Sequence, residues 1–265
     1  MKVVLFCGGL GTRLREYTGE IPKPMVKIGY RPILWHLMKY YAHHGHTDFV
    51  LCLGYKADVI KQFFLQYEEW VSNDFTLSKG GKEMTLENND IEDWNITFVD
   101  TGLHANIGQR LVAVRKYVQD EEMFLANYSD GLTDLDLNTM IAEFRATDHI
   151  AAFMAVPPSQ SFHIVGLDPA GEVSSLQSVS ESKLLINGGY FALRQEIFDY
   201  IEPGEELVQA PFARLIKERK LQGYRYDHFW CMDTFKEQQQ LTDLYNSGRA
   251  PWEVWKDDPV EQGLL

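Results

Sequence analysis

Three glycines, a threonine and an arginine crowd the turn behind the first apolar run of the chain. "FCGGLGTR" supplies Gly8, Gly9, Gly11, Thr12 and Arg13, and "PKPM" follows about ten residues later with Lys23 between Pro22 and Pro24. A strand that runs into such a turn presents backbone N–H groups to phosphate oxygens, because glycine allows both the required backbone angles and a close approach. The arginine and the lysine would neutralise phosphate charge. Neither common nucleotide motif is present: Leu14 stands where GxGxxG needs its third glycine, and no GK[ST] follows. An ordinary strand-to-loop turn also explains a lone GGxG. The framed lysine favours phosphate, since two prolines stiffen the backbone around it and a free surface lysine needs no such frame.

The charge balance makes those two cations matter more. The 265 residues carry a formal net charge of −13, so nucleic acid or an acidic membrane meets no general attraction, and an anionic ligand depends on local positive groups. No apolar run approaches a membrane span, and "MKVVLF" is too short for a signal-peptide core. Cys7, Cys52 and Cys231 lie far apart in apolar surroundings without a CxxC pair, which reads as buried reduced thiols and not as disulfides or a zinc site. The expectation is a cytoplasmic protein with no nucleic-acid and no membrane partner.

Elements that could hold the glycine turn are visible along the chain. Apolar runs rich in Val, Ile, Leu and Phe recur at "KVVLFC", "DFVLCLG", "NITFVD", "EMFLANY" and "HIAAFMAV", and the first four lack clean alternation, the pattern of strands buried on both faces. Between them, Ile33, Leu34, Leu37, Met38, Tyr41 and Ala42 form a helical apolar stripe ending at Gly45, and "ADVIKQFFLQY" and "DLNTMIAEF" look similar. This alternation predicts one α/β domain over 1–265, a Rossmann-like, mainly parallel sheet with helices on both faces, its core in residues 1–156. Shorter β-like pieces, "FHIVGLDPAGEV" and "LLINGGYFAL", suggest a small β-rich region over 157–233. Thr234 and Glu237 have capping-box spacing, so a helix opens the last stretch, 234–265. The polar "SKGGKEMTLENNDIED" is the longest candidate loop.

"GGLGTRL" followed by "PKPM" resembles the sugar-phosphate nucleotidyltransferases, which join a nucleoside triphosphate to a sugar 1-phosphate and release pyrophosphate. "PILWHLMKYYAHHG", "DFVLCLGYK", "VDTG", "YSDGLTD", "INGGYF", "MDT" and the closing "SGRAPWEVW" are similar to the glucose-1-phosphate cytidylyltransferase branch, so the likeness covers about residues 1 to 256. It implies CTP as donor, glucose 1-phosphate as default acceptor, Mg2+ as cofactor and a homo-oligomer. Carried over by motif, Phe6, Gly8, Gly9, Gly11, Thr12, Arg13, Lys23, Gly108, Ser129 and Asp130 would bind the nucleotide. Arg13, Lys23, Asp130 and Asp233 would carry catalysis, with Asp130 and Asp233 as metal ligands. Such a set suits the reaction, in which attack of one phosphate on another needs positioning and charge neutralisation but no protein nucleophile.

The 157–233 region would bind the acceptor, and departures from the resemblance concentrate there. Where the family carries E-K-P, this chain has Ser178, Val179 and Ser180, so the lysine expected to meet the sugar's phosphate is missing. Lys183 stands nearby as a substitute cation or as a solvated loop lysine. R-[FY]-G becomes Ser161, Phe162 and His163, and an acidic position before the next helix becomes Val208. Asn187 and Gly188 of "INGGYF" keep part of a hydroxyl-binding wall. On the nucleotide side, Ile107 and Gln109 replace parts of a T-G-G pattern around Gly108; Gln109 could meet a base edge or be an exposed helix residue. Three acceptor-side changes beside an intact phosphate set leave open a different triphosphate, a different phosphorylated or phosphonylated acceptor, or a silent sugar-nucleotide binder.

The remaining features read as structural. "HHGH", with His43, His44 and His46, ends an amphipathic helix without further ligands at useful spacing, so a solvated helix end is expected. "GEEL", residues 204–207, reads as a solvated turn. Trp252 and Trp255 read as packing anchors for the C-terminal segment, within the chain or across a subunit interface.

Overall fold

The computed structural model describes residues 1–9, 21–159, 162–179 and 182–256. Its first half runs β1 (Val3–Phe6), β2 (Lys27–Ile28), β3 (Arg31–Pro32), α1 (Ile33–His43), β4 (Asp48–Leu53), α2 (Ala57–Leu65), β5 (Phe75–Ser78), β6 (Glu83–Leu86) and β7 (Asn95–Asp100). Then come α3 (Ile107–Val118), β8 (Met123–Asn127), β9 (Gly131–Leu132), α4 (Leu137–Arg145), β10 (Ala151–Val156), β11 (His163–Leu167) and β12 (Val173–Ser178). The chain continues through β13 (Ile186–Arg194), α5 (Ala210–Lys217), β14 (Leu221–Arg225), β15 (Trp230–Cys231) and α6 (Phe235–Asn246).

Seven strands form one sheet in the order β14-β10-β13-β8-β1-β4-β7. β8, β1, β4 and β7 pair in parallel, β10 and β14 also pair in parallel, and β13 is antiparallel to both its neighbours. The unbroken apolar runs have a direct cause. Val3 and Leu5 of β1 pack into a cluster with Ile33, Leu34 and Leu37 of α1 and Met140 and Phe144 of α4. Val4 and Phe6 pack into a second cluster with Leu111, Val114 and Val118 of α3 and Phe212 and Leu215 of α5. β1 therefore needs apolar side chains on both faces, whereas β7, whose run "NITFVD" reads as a strand buried on both faces, lies at the sheet edge with no buried residue.

The winding of the chain locates a crevice. It steps outward from β1 to β4 to β7, then crosses through α3 to β8 on the other side of β1. Connections on opposite sides of the sheet leave a gap outside the carboxyl ends of β1 and β8, where open α/β sheets bind ligands. Gly8 and Gly9 follow β1 there, and Ser129 and Asp130 follow β8.

Several local signals act as expected. After α1, Gly45 adopts a left-handed φ of 82°, its N–H donates to the Ala42 carbonyl and that of His46 to the Tyr41 carbonyl. Those bonds satisfy the helix's last carbonyls, and glycine takes this conformation without the penalty a Cβ would bring. The Thr234–Glu237 capping box closes both ways at the start of α6. Trp252 is fully buried beside His36 and Trp230, and Trp255 lies against Trp35 and His36, so both anchor the terminal segment within this chain.

Four readings change. The supposed loop "SKGGKEMTLENNDIED" contains β6, half of a hairpin with β5, because Lys79, Gly80 and Gly81 take positive φ and reverse the chain. His46 is buried, not solvated, since the turn at Gly45 folds it back beneath the helix end; His43 stays exposed. Two strands of the 157–233 stretch, β13 and β14, belong to the central sheet, whereas β11 and β12 form a separate exposed hairpin. Of the three thiols, Cys7 and Cys52 are buried but Cys231 is half-buried, because β15 lies at the surface, where its Sγ–H donates to Glu237.

Candidate active site

The turn after β8 is built to project Asp130. Ser129 is fully buried at φ 65°, a left-handed conformation that costs a serine energy. It is held there because its N–H donates to Asn127 Oδ1 at 2.7 Å and its hydroxyl accepts from Cys7 Sγ at 3.6 Å. Burial pushes the Cys7 thiol up to about 12, so it stays a neutral donor under the glycine turn. The chain then enters β9, which pairs with β15 through Gly131 and Cys231. That pairing brings Asp233 beside Asp130. Glu237 Oε2 accepts from the N–H groups of Asp233 and Thr234, so the α6 capping box also fixes the second aspartate.

Lys23 sits between the two carboxylates. Its Nζ donates to Asp130 Oδ2 at 2.8 Å and to Asp233 Oδ1 at 2.5 Å, with its side chain 13% exposed. Pro22 caps and Pro24 continues a single 3-10 turn, Lys23–Met25, which presents the lysine as the framing prolines implied. Burial works to lower the Lys23 pKa, but Asp130 and Asp233 outweigh it and hold the ammonium above the usual lysine range. Two carboxylates converging on one cation are a hard-oxygen pair of the kind a divalent ion takes together with water and phosphate oxygens. Among the described residues no group of three or more His, Cys, Asp or Glu could hold a metal unaided, so an ion here would share its coordination with substrate.

Beside this trio opens a cavity of about 340 Å³, lined among others by Phe6, Gly9, Lys23, Tyr128, Asp130 and Glu206. Its back wall is tied together by Arg110, which is 3% exposed. The guanidinium donates to the carbonyls of Gly8, Leu53 and Leu103 and to Thr101 Oγ1, joining the ends of β1, β4 and β7. A Cβ on Gly8 would stand 2.0 Å from Arg110 Nη1, so glycine is required there to seat the arginine as well as any ligand. Burial first, and then the Glu206 carboxylate, raises the pKa of the Tyr128 hydroxyl, which accepts from Asn187 Nδ2.

The expected residues fall into three groups. Phe6, Gly8, Gly9, Lys23, Ser129, Asp130 and Asp233 gather at the carboxyl ends of β1 and β8 or on β15's continuation. Gly11, Thr12, Arg13, Ser161 and Ser180 lie outside the described residues. On the acceptor side, Asn187 reaches the cavity wall through Tyr128, but His163 and Lys183 are exposed on and beyond the β11–β12 hairpin, and neither lines the cavity. Gly188 is buried in β13, where a Cβ would meet Met154 Cε at 2.8 Å. Strand packing therefore accounts for that glycine.

Around α3 the geometry differs from the sequence reading. Gln109 completes a capping box with Asn106, its side chain accepting from the Asn106 N–H at 2.9 Å, so it faces its own helix end and not a base. Gly108 is buried with the Glu205 carbonyl 2.2 Å from where a Cβ would stand. It thus admits the 204–207 segment against α3. That segment is no solvated turn: Glu205 pairs with Arg214 through two contacts of 2.6 Å, Leu207 is fully buried, and Glu206 lines the cavity. Arg110, Tyr128 and Glu206 carried no usable signal, since each gains its role from partners distant in the chain. The Asn106-x-x-Gln109 spacing was the one local clue.

The chain has relatives among known proteins. The chain is 40% identical over 259 residues to the glucose-1-phosphate cytidylyltransferases of Salmonella typhi and of Salmonella typhimurium, the match covering 97% of this chain and 100% of each relative. Its fold matches a UDP-glucose pyrophosphorylase solved with UDP-glucose, with a TM-score of 0.67 at 15% identity over 94% of this chain and 99% of the other. The family model described as nucleotidyl transferase matches residues 2–256, the stretch that contains both the glycine turn and the terminal tryptophans, and the chain belongs to that family.

Proposed function

We propose that this protein transfers the cytidylyl group of CTP to a sugar 1-phosphate, glucose 1-phosphate by default, releasing pyrophosphate. The observation that carries the reading is the convergence of Lys23, Asp130 and Asp233 beside the cavity that Gly9 lines. A phosphate oxygen of the acceptor forms a bond to the α-phosphorus, the bond from that phosphorus to the bridging oxygen breaks, and pyrophosphate leaves with the electron pair. Lys23 and Arg13 supply positive charge to the phosphates, and Asp130 and Asp233 would hold Mg2+, which would neutralise phosphate charge. Tyr128 and Asn187 form the wall toward the acceptor region, 157–233, and the glycine turn faces the triphosphate.

A second reading keeps the chemistry and changes the acceptor. It is favoured by Val179, which stands on the exposed hairpin end where the family's lysine is expected. Three free cysteines support a reducing, cytoplasmic setting. Apolar side chains left exposed on the hairpin, Leu167, Val173 and Leu176 among them, support a homo-oligomer. No helix among the described residues is long and apolar enough to cross a membrane.

The test is pyrophosphate release with Mg2+ across CTP, UTP, dTTP, ATP and GTP against α-D-glucose 1-phosphate and a panel of other phosphorylated acceptors. Turnover with CTP and glucose 1-phosphate is expected. Turnover only with another acceptor selects the second reading, and silence throughout leaves a sugar-nucleotide binder.

A further inference from the structure

Glu206 is placed where a nucleobase would be read. Its neighbours fix its backbone: Glu205 is clamped by Arg214, and Leu207 is fully buried. One carboxylate oxygen, Oε2, accepts from the Ile107 N–H at 3.2 Å, which turns the group across the start of α3 and onto the cavity wall that also holds Asn106, Ile107 and Arg110. Lys23 and Asp130 mark the part of the cavity suited to phosphates. The part lined by Phe6, Tyr128, Ile107 and Glu206 is left for a flat ring.

The other polar groups on that wall are already engaged. Arg110 donates to four acceptors. Asn106 accepts from the Gln109 N–H and donates to the Gly204 carbonyl, and the Tyr128 hydroxyl accepts from Asn187. Glu206 has a second oxygen to offer, and a carboxylate only accepts. Cytosine presents an exocyclic amine where uracil and thymine present a carbonyl oxygen, and Glu or Asp accepts from that amine. The same carboxylate repels a carbonyl.

We propose that Glu206 discriminates the base of the triphosphate, accepting a hydrogen bond from the exocyclic amine of cytosine and so favouring CTP over UTP. This rests on the cytidylyl-transfer reading above and names the group that sets its base preference. A polar site left unmatched by the wrong substrate rejects it strongly, so Glu206→Ala should lower the CTP-over-UTP ratio of kcat/KM by roughly 10- to 100-fold. Glu206→Gln keeps the size and a carbonyl for the Ile107 N–H, and its amide can donate to the uracil carbonyl. It should therefore raise kcat/KM for UTP while lowering that for CTP.

The experiment measures pyrophosphate release by the wild-type chain, E206A and E206Q with Mg2+, each triphosphate and saturating acceptor, after thermal melts establish which variants are folded. Calorimetric titration with CTP and with UTP gives a second readout. A fall in the CTP preference in the folded variants supports the assignment. If the wild type prefers CTP and the ratio stays within about twofold in E206Q, Glu206 only holds the start of α3, and the assignment is overturned while cytidylyl transfer stands. A wild type that binds or turns over UTP as well as CTP also overturns it. If no triphosphate is turned over, cytidylyl transfer fails, and the CTP-to-UTP binding ratio of wild type against E206Q still decides the role of Glu206.

Discussion

The two sides of the crevice are built differently. On the side we propose for the phosphates, Lys23, Asp130 and Asp233 are held by a proline-framed turn, a strained serine, a β-pair and a capping box, and every device fixes the place of a charge. On the side we propose for the acceptor, His163 and Lys183 belong to an exposed hairpin and the loop beyond it, and the hairpin's apolar residues have no core to pack in. The contrast follows the chemistry. Phosphoryl transfer demands the same placement of charge whatever the sugar, whereas the acceptor is the part free to vary, and variable recognition falls on loops carried by a rigid scaffold.

The sharpest way to break this comparison is on the rigid side. Asp130→Asn preserves shape but removes a converging charge, and turnover should fall by orders of magnitude with triphosphate affinity changed far less; single-turnover kinetics with calorimetry separates the two, and a fall in affinity alone would make the site a binder. The next effect is on stability. His36 lies buried under Trp252 and Trp255, and its Nε2–H donates to the Ile28 carbonyl just past the turn that carries Lys23. Burial lowers its pKa from the ordinary 6.5 to about 4. The unfolded chain therefore binds a proton that the folded chain refuses between those values, so stability is complete above pH 6.5 and declines as pH falls toward 4, by up to about 3 kcal/mol. Urea unfolding at a series of pH values should display that decline, and His36→Gln should flatten it; His46, lowered to about 4 mainly by burial, adds to the slope. The smallest effect belongs to the loose side. Lys183→Ala should leave the acceptor KM nearly unchanged, since Lys183 is exposed and does not line the cavity; a rise of about fivefold, the size of a solvent-exposed ion contact, with the CTP KM unmoved, would instead place Lys183 in the site.

The same division governs what could be read from the residues alone. Strands buried on both faces leave unbroken apolar runs, Gly45 and the Thr234–Glu237 pair punctuate helices through contacts a few residues long, and all of these are local. Lys23 was legible because its frame is local too. The meeting of Asp130 with Asp233 depends on β9 pairing with β15, and the place of Glu206 depends on the 204–207 segment packing on α3. Neither leaves a periodic trace. Resemblance supplies the first pair, whereas Glu206 reads as solvent-facing because two adjacent glutamates look alike until one finds Arg214 and the other the cavity. Of the two uses left open for Gln109, the exposed helix position holds, and its side chain caps its own helix through Asn106, three residues away.

The pairing of β9 with β15 also sets an order of assembly. A chain leaving the ribosome presents Lys23 and then Asp130 early, yet Asp233 arrives only near the end, and Trp252, which closes over His36, arrives later still. Contacts of such long sequence separation form last. A nascent or truncated chain that stops short of β15 carries the glycine turn and one aspartate but not the converged pair. The converged pair, and with it the turnover proposed for this site, therefore waits on synthesis of β15.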